Sequence, residues 1–189
     1  VGVIESLLSG VTTFMDMYYY ADGLAQTYDE MGVRAVVAQN MINQSMCDAK
    51  DEVEAFELAK EFYYKWKDHP RIIPALGPHG TTTLTYDTLK KISKFSKENN
   101  ILVSMHVAEM DDEMAYFRNQ QTTPIQYLES IDLLDSNFIS VHTIHPTQED
   151  INILQKHNVA VAHCIGANTK AGKGIPPLKE MVEAKLRIG

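Results

Sequence analysis

Residues 101–110 read ILVSMHVAEM. The run opens as a strand does, with branched and long apolar side chains, and then offers His106 and, three residues later, Glu109. An imidazole and a carboxylate at the end of an otherwise apolar run call for an explanation. One is chemical. The other is ordinary: a buried histidine satisfied by a carbonyl, and a glutamate that merely opens the acidic run 109–113 ahead of a helix. The rest of the chain decides between them.

Outward from this stretch, short apolar runs alternate with longer segments of helical period. Strands are expected at 11–17, 33–41, 71–79, 101–109, 138–144 and 159–165. Between them, 48–67 carries an apolar stripe of Val53, Phe56, Leu58, Ala59, Phe62 and Tyr63, and 86–98 follows Thr85 as N-cap. Thr147-Gln148-Glu149-Asp150 reads as a capping box with Asp in place of Glu. Strand, crossover helix, strand is the parallel βαβ unit. The absence of G-x-G-x-x-G after the first strand weakens a dinucleotide-binding version. Residues 1–9 look like the tail of a helix and 186–189 like a strand beginning. The fold class expected is therefore α/β, a partial TIM-type (β/α)8 barrel of about strands 2 to 7 with the start of strand 8.

The 189 residues, 44% hydrophobic, support one core, so 1–189 is expected to be one incomplete barrel domain. A net charge of −8 and a pI near 5.3 speak against nucleic acid and for a small-molecule substrate. Cys47 and Cys164 lack metal-finger or redox spacing, which fits a reducing cytoplasm, with Cys164 read as a buried small hydrophobe. No apolar run approaches the roughly 18 residues of a membrane span. The chain opens at Val1 with no signal peptide, so its natural start is expected upstream.

Of seven histidines, His79, His106, His142 and His163 fall at expected strand ends and His145 just after one; only His69 and His157 fall elsewhere. The carboxyl ends of such strands line one rim, where active sites of α/β folds are built. A ring of imidazoles there suits a metal that activates water, with a carboxylate to move the proton. Glu109, just past His106, stands where it can do so. Asp16 is balanced between a strand-end hydrogen bond and a site role.

In this order the motifs resemble the amidohydrolase superfamily, in particular its deaminase and chlorohydrolase branch, which includes methylthioadenosine/S-adenosylhomocysteine deaminases. Gly10 through Met17 resembles that family's second strand, Gly77-Pro78-His79 its fourth and Ser104 through Glu109 its fifth-strand H-x-x-E. Val141 through His145 resembles the sixth, and His163 through Asn168-Thr169-Lys170 to Gly174-Ile175-Pro176-Pro177 the seventh strand and its loop. The resemblance implies one divalent metal, zinc or alternatively iron, with His106 as ligand. It makes Glu109 the proton shuttle of metal-activated water, His142 the group that orients that water, and His79, Gln39, His163 and Asn168 substrate contacts. The reaction implied is deamination or dechlorination of a small nucleobase-like or triazine-like ring. Two departures stand out: His163-Cys164-Ile165 where the family often reads His-Asn-Pro, and Gln39-Asn40 where members with carboxylate-bearing substrates can offer arginine. The family's first-strand H-x-H pair and eighth-strand aspartate are not among residues 1–189.

The competing reading is a non-catalytic βα scaffold whose rim histidines serve an interaction. Nucleotide binding through the glycines from Gly166 to Gly174 ranks last, since the P-loop pattern is missing. By the family pattern, 1–189 brings only His106, with His142 as a second, of the three or four ligands a tight site takes. Produced alone, residues 1–189 are expected to be catalytically inactive, to hold no well-occupied metal, and to self-associate as a homo-oligomer that covers open sheet edges. Zinc titration, ammonia release and light scattering check this; a monomer that binds one zinc tightly and deaminates an aminopurine contradicts it.

Overall fold

Helix and strand alternate from end to end in the computed structural model, which describes residues 1–189. The chain groups into two units, Val1–Gly77 and Pro78–Gly189. The first holds α1 (Gly2–Leu8), β1 (Thr13–Tyr18), α2 (Ala21–Glu30), β2 (Arg34–Met41), α3 (Glu52–Trp66) and β3 (Ile72–Pro78), whose last residue opens the second. β1 and β2 are parallel, with Thr13 opposite Arg34 and Tyr18 opposite Gln39. Ala35 N–H donates to the Arg71 carbonyl as β3 begins.

Sequence period explains the packing. Ala21, Ala25 and Tyr28 recur along one face of α2, and Phe62 and Trp66 lie one turn apart on α3. Both sets bury against Val33, Ala35 and Val37, which alternate along β2 and its entry. Burial of each large side chain contributes about 1.5–3 kcal/mol. The α3 stripe is corrected in part: Phe56, Ala59 and Phe62 are buried, but Val53 is 56% exposed and Ala55 and Trp66 are buried in addition. The helix is also shorter than 48–67, because the Asp51 side chain accepts from Val53 N–H and Glu54 N–H and so sets its start. Asp16 accepts from Tyr28 Oη at 2.8 Å, a structural hydrogen bond that helps burial to push the Tyr28 hydroxyl above its ordinary pKa.

The second unit holds α4 (Tyr86–Asn99), β4 (Leu102–Val107), α5 (Asp111–Arg118), α6 (Pro124–Ser130), β5 (Phe138–His142), α7 (Gln148–Lys156), β6 (Ala160–Ala162), α8 (Ile165–Lys170), α9 (Leu178–Glu183) and β7 (Arg187–Ile188). β4 with β5, β5 with β6 and β6 with β7 are parallel. Thr85 caps α4, and the Thr147/Asp150 capping box is formed as expected. Asp150 is buried and also accepts from the Thr123 hydroxyl, itself the N-cap of α6, at 2.5 Å. One carboxylate thus serves two helix starts, which gives a reason for Asp where the box usually has Glu.

Three strands stop well short of the ends the sequence suggests, and β4 does so at Val107, where Ala108 (φ 51°) turns left-handed. β5 ends at His142 because His142 (φ 72°) and Thr143 (φ 45°) turn into the left-handed region, where Thr143 N–H reaches the Val107 carbonyl. β6 ends at Ala162 because Cys164 (φ 52°) turns left-handed into α8. Cys164 is exposed, so its reading as a buried small hydrophobe is corrected. No helix is long and apolar enough to cross a membrane.

Gly77 in β3 has no room for a side chain: a Cβ would lie 2.6 Å from the Gln39 carbonyl oxygen and 2.9 Å from Met17 Cγ. The nearer atom is backbone and cannot rotate away. Gly77→Ala is therefore expected to lower the stability of the intact protein by about 1–3 kcal/mol, read as a lower denaturant midpoint at unchanged slope.

Candidate active site

The second unit brings three of the four strand-end histidines together. His79 follows β3, His106 lies in β4 and His142 ends β5. The His79 and His106 rings stack with centroids 5.1 Å apart at 20°, and the His106 and His142 centroids are also 5.1 Å apart. β4 supplies the reason: Val103, Met105 and Val107 alternate onto one face, leaving Ser104 and His106 on the other. The His79 carbonyl accepts from His106 N–H, which sets the two side by side. His163 follows β6, and its contacts to the cluster run through Asn168.

Glu109 is 8% exposed, and its Oε1 lies 3.1 Å from His142 Nε2. The chain reaches it through Ala108 at φ 51°, whose carbonyl accepts from Ile144 N–H and His145 N–H. Its backbone N–H donates to Glu113 Oε2 at 3.0 Å, and Glu113 Oε1 accepts from the Thr81 hydroxyl. Lys173 Nζ pairs with Glu109 Oε1 in a very short contact. Sequence reasoning missed Lys173, Glu113 and Thr81. For Glu113 a signal existed, an acidic residue in the first turn of a helix two positions past Asp111.

The hydrogen bonds assign the protons. Asn168 is fully buried; its Nδ2 donates to the His163 carbonyl at 2.8 Å, so its Oδ1 is the atom 2.7 Å from His142 Nδ1. His142 Nδ1 must then be the donor, and its Nε2 faces a carboxylate oxygen. Nε2 and Glu109 Oε1 are thus in polar contact across 3.1 Å. At His79, Thr83 Oγ1 donates to the Gly80 carbonyl and accepts from His79 Nδ1 at 3.3 Å, which leaves Nε2 as the free nitrogen. Burial holds the His79 imidazole below its ordinary pKa, against the pull of Glu109. Burial first, then the neighbouring His79 and His142, lowers His106 to about 4, so it is a neutral imidazole near pH 7.

A neutral imidazole is the ligating form. His106 Nδ1 is buried with no hydrogen-bond partner, as is His163 Nδ1, and an unsatisfied buried nitrogen is costly. A divalent cation is one way to satisfy it. No group of three or more His, Cys, Asp or Glu side chains is placed to hold an ion. A cavity of about 220 Å³ opens beside them, lined by His79, Thr81, His106, Glu109 and Glu113. Gln39 belongs to the first unit, where its amide is spent: Oε1 accepts from Ala21 N–H, and Nε2 donates to Asp48 at 2.9 Å and to the Asn40 carbonyl. A cavity of about 580 Å³ there is lined by Tyr20, Gln39, Asp48 and Lys65 among others and contains no histidine.

The amidohydrolase family profile matches residues 1–189, and the chain belongs to that family. A 5-methylthioadenosine/S-adenosylhomocysteine deaminase of Thermodesulfovibrio yellowstonii is 33% identical over 98% of this chain and 42% of its own length. A 5'-deoxyadenosine deaminase of Methanopyrus kandleri is 33% identical over 98% of this chain and 43% of its own. Among solved structures, a zinc-bound adenosine deaminase of Xanthomonas campestris superposes with a TM-score of 0.95 at 26% identity, covering 99% of this chain and 43% of that one. The zinc-complexed atrazine chlorohydrolase TrzN of Arthrobacter aurescens has the same fold, TM-score 0.88, at 20% identity. The fold is thus the partial TIM-type barrel expected from the alternation, and the chain spans under half the length of the relatives it matches.

Asn168→Leu removes the acceptor of His142 Nδ1–H and the donor to the His163 carbonyl, leaving both buried and unpaired. The intact variant is expected to lose about 2–4 kcal/mol of stability, seen in equilibrium denaturation, whereas Cys164→Ala, at an exposed position, should stay within about 0.5 kcal/mol.

Proposed function

We propose that the intact protein is a metal-dependent hydrolytic deaminase that removes the exocyclic amine of an aminated purine, with adenosine-type nucleosides as the substrate class. The observation that carries this is the buried Glu109, 3.1 Å from His142 Nε2, beside a neutral His106 whose Nδ1 is unpartnered. The relatives at 33% identity, named as deaminases of adenine-bearing nucleosides, support the same class. The relatives that support dechlorination match below 25% identity and speak to the fold alone.

Residues 1–189 are one part of the barrel domain that carries this reaction. His106 would hold a divalent ion, zinc by the donor set, with iron accepted by the same nitrogens. Such an ion, when bound, supplies the Lewis acidity that lets water act as a nucleophile near neutral pH. The residues of this chain do the rest. His142, held by Asn168, fixes the tautomer and direction of its Nε2. Glu109 takes a proton at its carboxylate and returns it to the nitrogen that departs. His79, through its free Nε2, contacts the ring where charge develops. In balance, water and the amine become a ring carbonyl and ammonia: one C–O bond forms and one C–N bond breaks. His163 lines the same region as a substrate contact.

In the intact protein, Glu109→Gln is expected to lower kcat by roughly 10²–10⁴-fold with metal content unchanged, while His106→Ala loses metal. Ammonia release from 5'-deoxyadenosine, 5'-methylthioadenosine and adenosine, with metal content measured alongside, checks both. A Glu109→Gln enzyme with near-normal turnover overturns the assignment, and a wild-type enzyme inert on all three overturns the substrate class.

A further inference from the structure

Glu109 is tied at one oxygen only. Its Oε1 accepts from the Lys173 ammonium and lies 3.1 Å from His142 Nε2, while Oε2 makes no hydrogen bond. Lys173 is not a bystander on the surface, since its side chain is 27% exposed and that of Glu109 is 9%. It is delivered by the turn between α8 and α9, where Gly172 (φ 66°) and Gly174 (φ 118°) flank it in conformations that other residues rarely adopt. A Cβ on Gly174 would stand 3.0 Å from Ile144 Cγ2, so this turn lies against the residues that follow β5. Lys173 N–H donates to the Asn168 carbonyl at 2.9 Å, which ties the lysine to the residue that holds His142.

A glutamate's last torsion is broad, so a carboxylate without a firm donor turns about it. The Lys173 ammonium on Oε1, with His142 Nε2 against the same oxygen, holds it in one orientation. The ammonium also offsets the cost of keeping a carboxylate out of water. We propose that Lys173 is a positioning residue for Glu109: it pins Oε1, so that Oε2 is the oxygen left to carry the proton. This rests on the proton-moving role of Glu109 given above.

The test uses the intact protein and the substrate it turns over best. Lys173→Met is expected to lower kcat roughly 10- to 100-fold, the scale of a misplaced reacting group, with KM and metal content unchanged. Lys173→Arg, which can donate to the same oxygen, should recover most of the loss. In a Glu109→Gln background, Lys173→Met should lower the residual rate no further, because the group it positions is already disabled. A crystal structure of Lys173→Met should show Glu109 in more than one rotamer. Wild-type kcat in Lys173→Met overturns the proposal, and so does a raised KM at unchanged kcat, which would make Lys173 a substrate ligand. If Lys173→Met lowers the melting temperature, Lys173→Arg and Lys173→Gln are compared instead, and equal kcat in that pair overturns it. Normal turnover by Glu109→Gln, by contrast, sinks the reading of Glu109 itself.

Discussion

The 3.1 Å contact between Glu109 Oε1 and His142 Nε2 is the constraint around which the second unit is arranged. What aims the two atoms at each other lies beyond them, at the end of β6. The His163 carbonyl takes Asn168 Nδ2–H, which turns Asn168 Oδ1 toward His142 Nδ1, which in turn commits Nε2 to Glu109. The end of β6 thereby determines the chemistry at the end of β5. His142 meets this at φ 72°, a backbone state that costs of order 1–3 kcal/mol and persists only where the surroundings over-determine it. Here they do: Val107 lies opposite His142 in the ladder, and Thr143 N–H is taken by the Val107 carbonyl.

Burial explains why so many polar groups converge on one carboxylate. A glutamate with nine-tenths of its side chain out of water is destabilised unless donors replace the water. Lys173 and His142 do this at Oε1, and the Glu109 backbone is fixed separately through Glu113 and Thr81. The imidazoles solve the opposite problem. Burial, with the neighbouring His79 and His142, keeps His106 neutral, and its Nδ1 stays unpaired, the form in which it can take up a cation.

The strand-end histidines and Glu109 were legible because periodicity locates strand ends well enough, and parallel strands deliver their ends to one rim. His106 sits where the alternation of β4 puts it, opposite Val103, Met105 and Val107. Reading the lengths of β5 and β6 failed for one reason, positive φ at non-glycine residues. His142, Thr143 and Cys164 turn left-handed without any sequence sign, so apolar runs that look like strand continue as turn and helix. Val53 was misread because an apolar residue in the first turn of α3 fits the stripe by count while facing solvent. Asn168 entered through family resemblance alone. Lys173 was illegible for a further reason: its reach depends on the dihedrals of Gly172 and Gly174, and a flexible side chain four bonds long has no periodicity to betray its target.

The two supports of Glu109 come from different loops, and this separates their consequences. Glu113 and Thr81 act on the backbone, so they set where the carboxylate can be; Lys173 and His142 act on Oε1, so they set which oxygen remains free. A loss on the backbone side frees the Glu109 N–H beside Ala108, which already stands at φ 51°. A loss on the side-chain side leaves the backbone in place and only frees a torsion. The first kind of change removes the 3.1 Å approach to His142 itself. The second leaves the Asn168–His142 hydrogen bond at 2.7 Å intact. Glu109 is thus held twice, by independent parts of the rim, and the freedom left to its carboxylate is confined to the second oxygen.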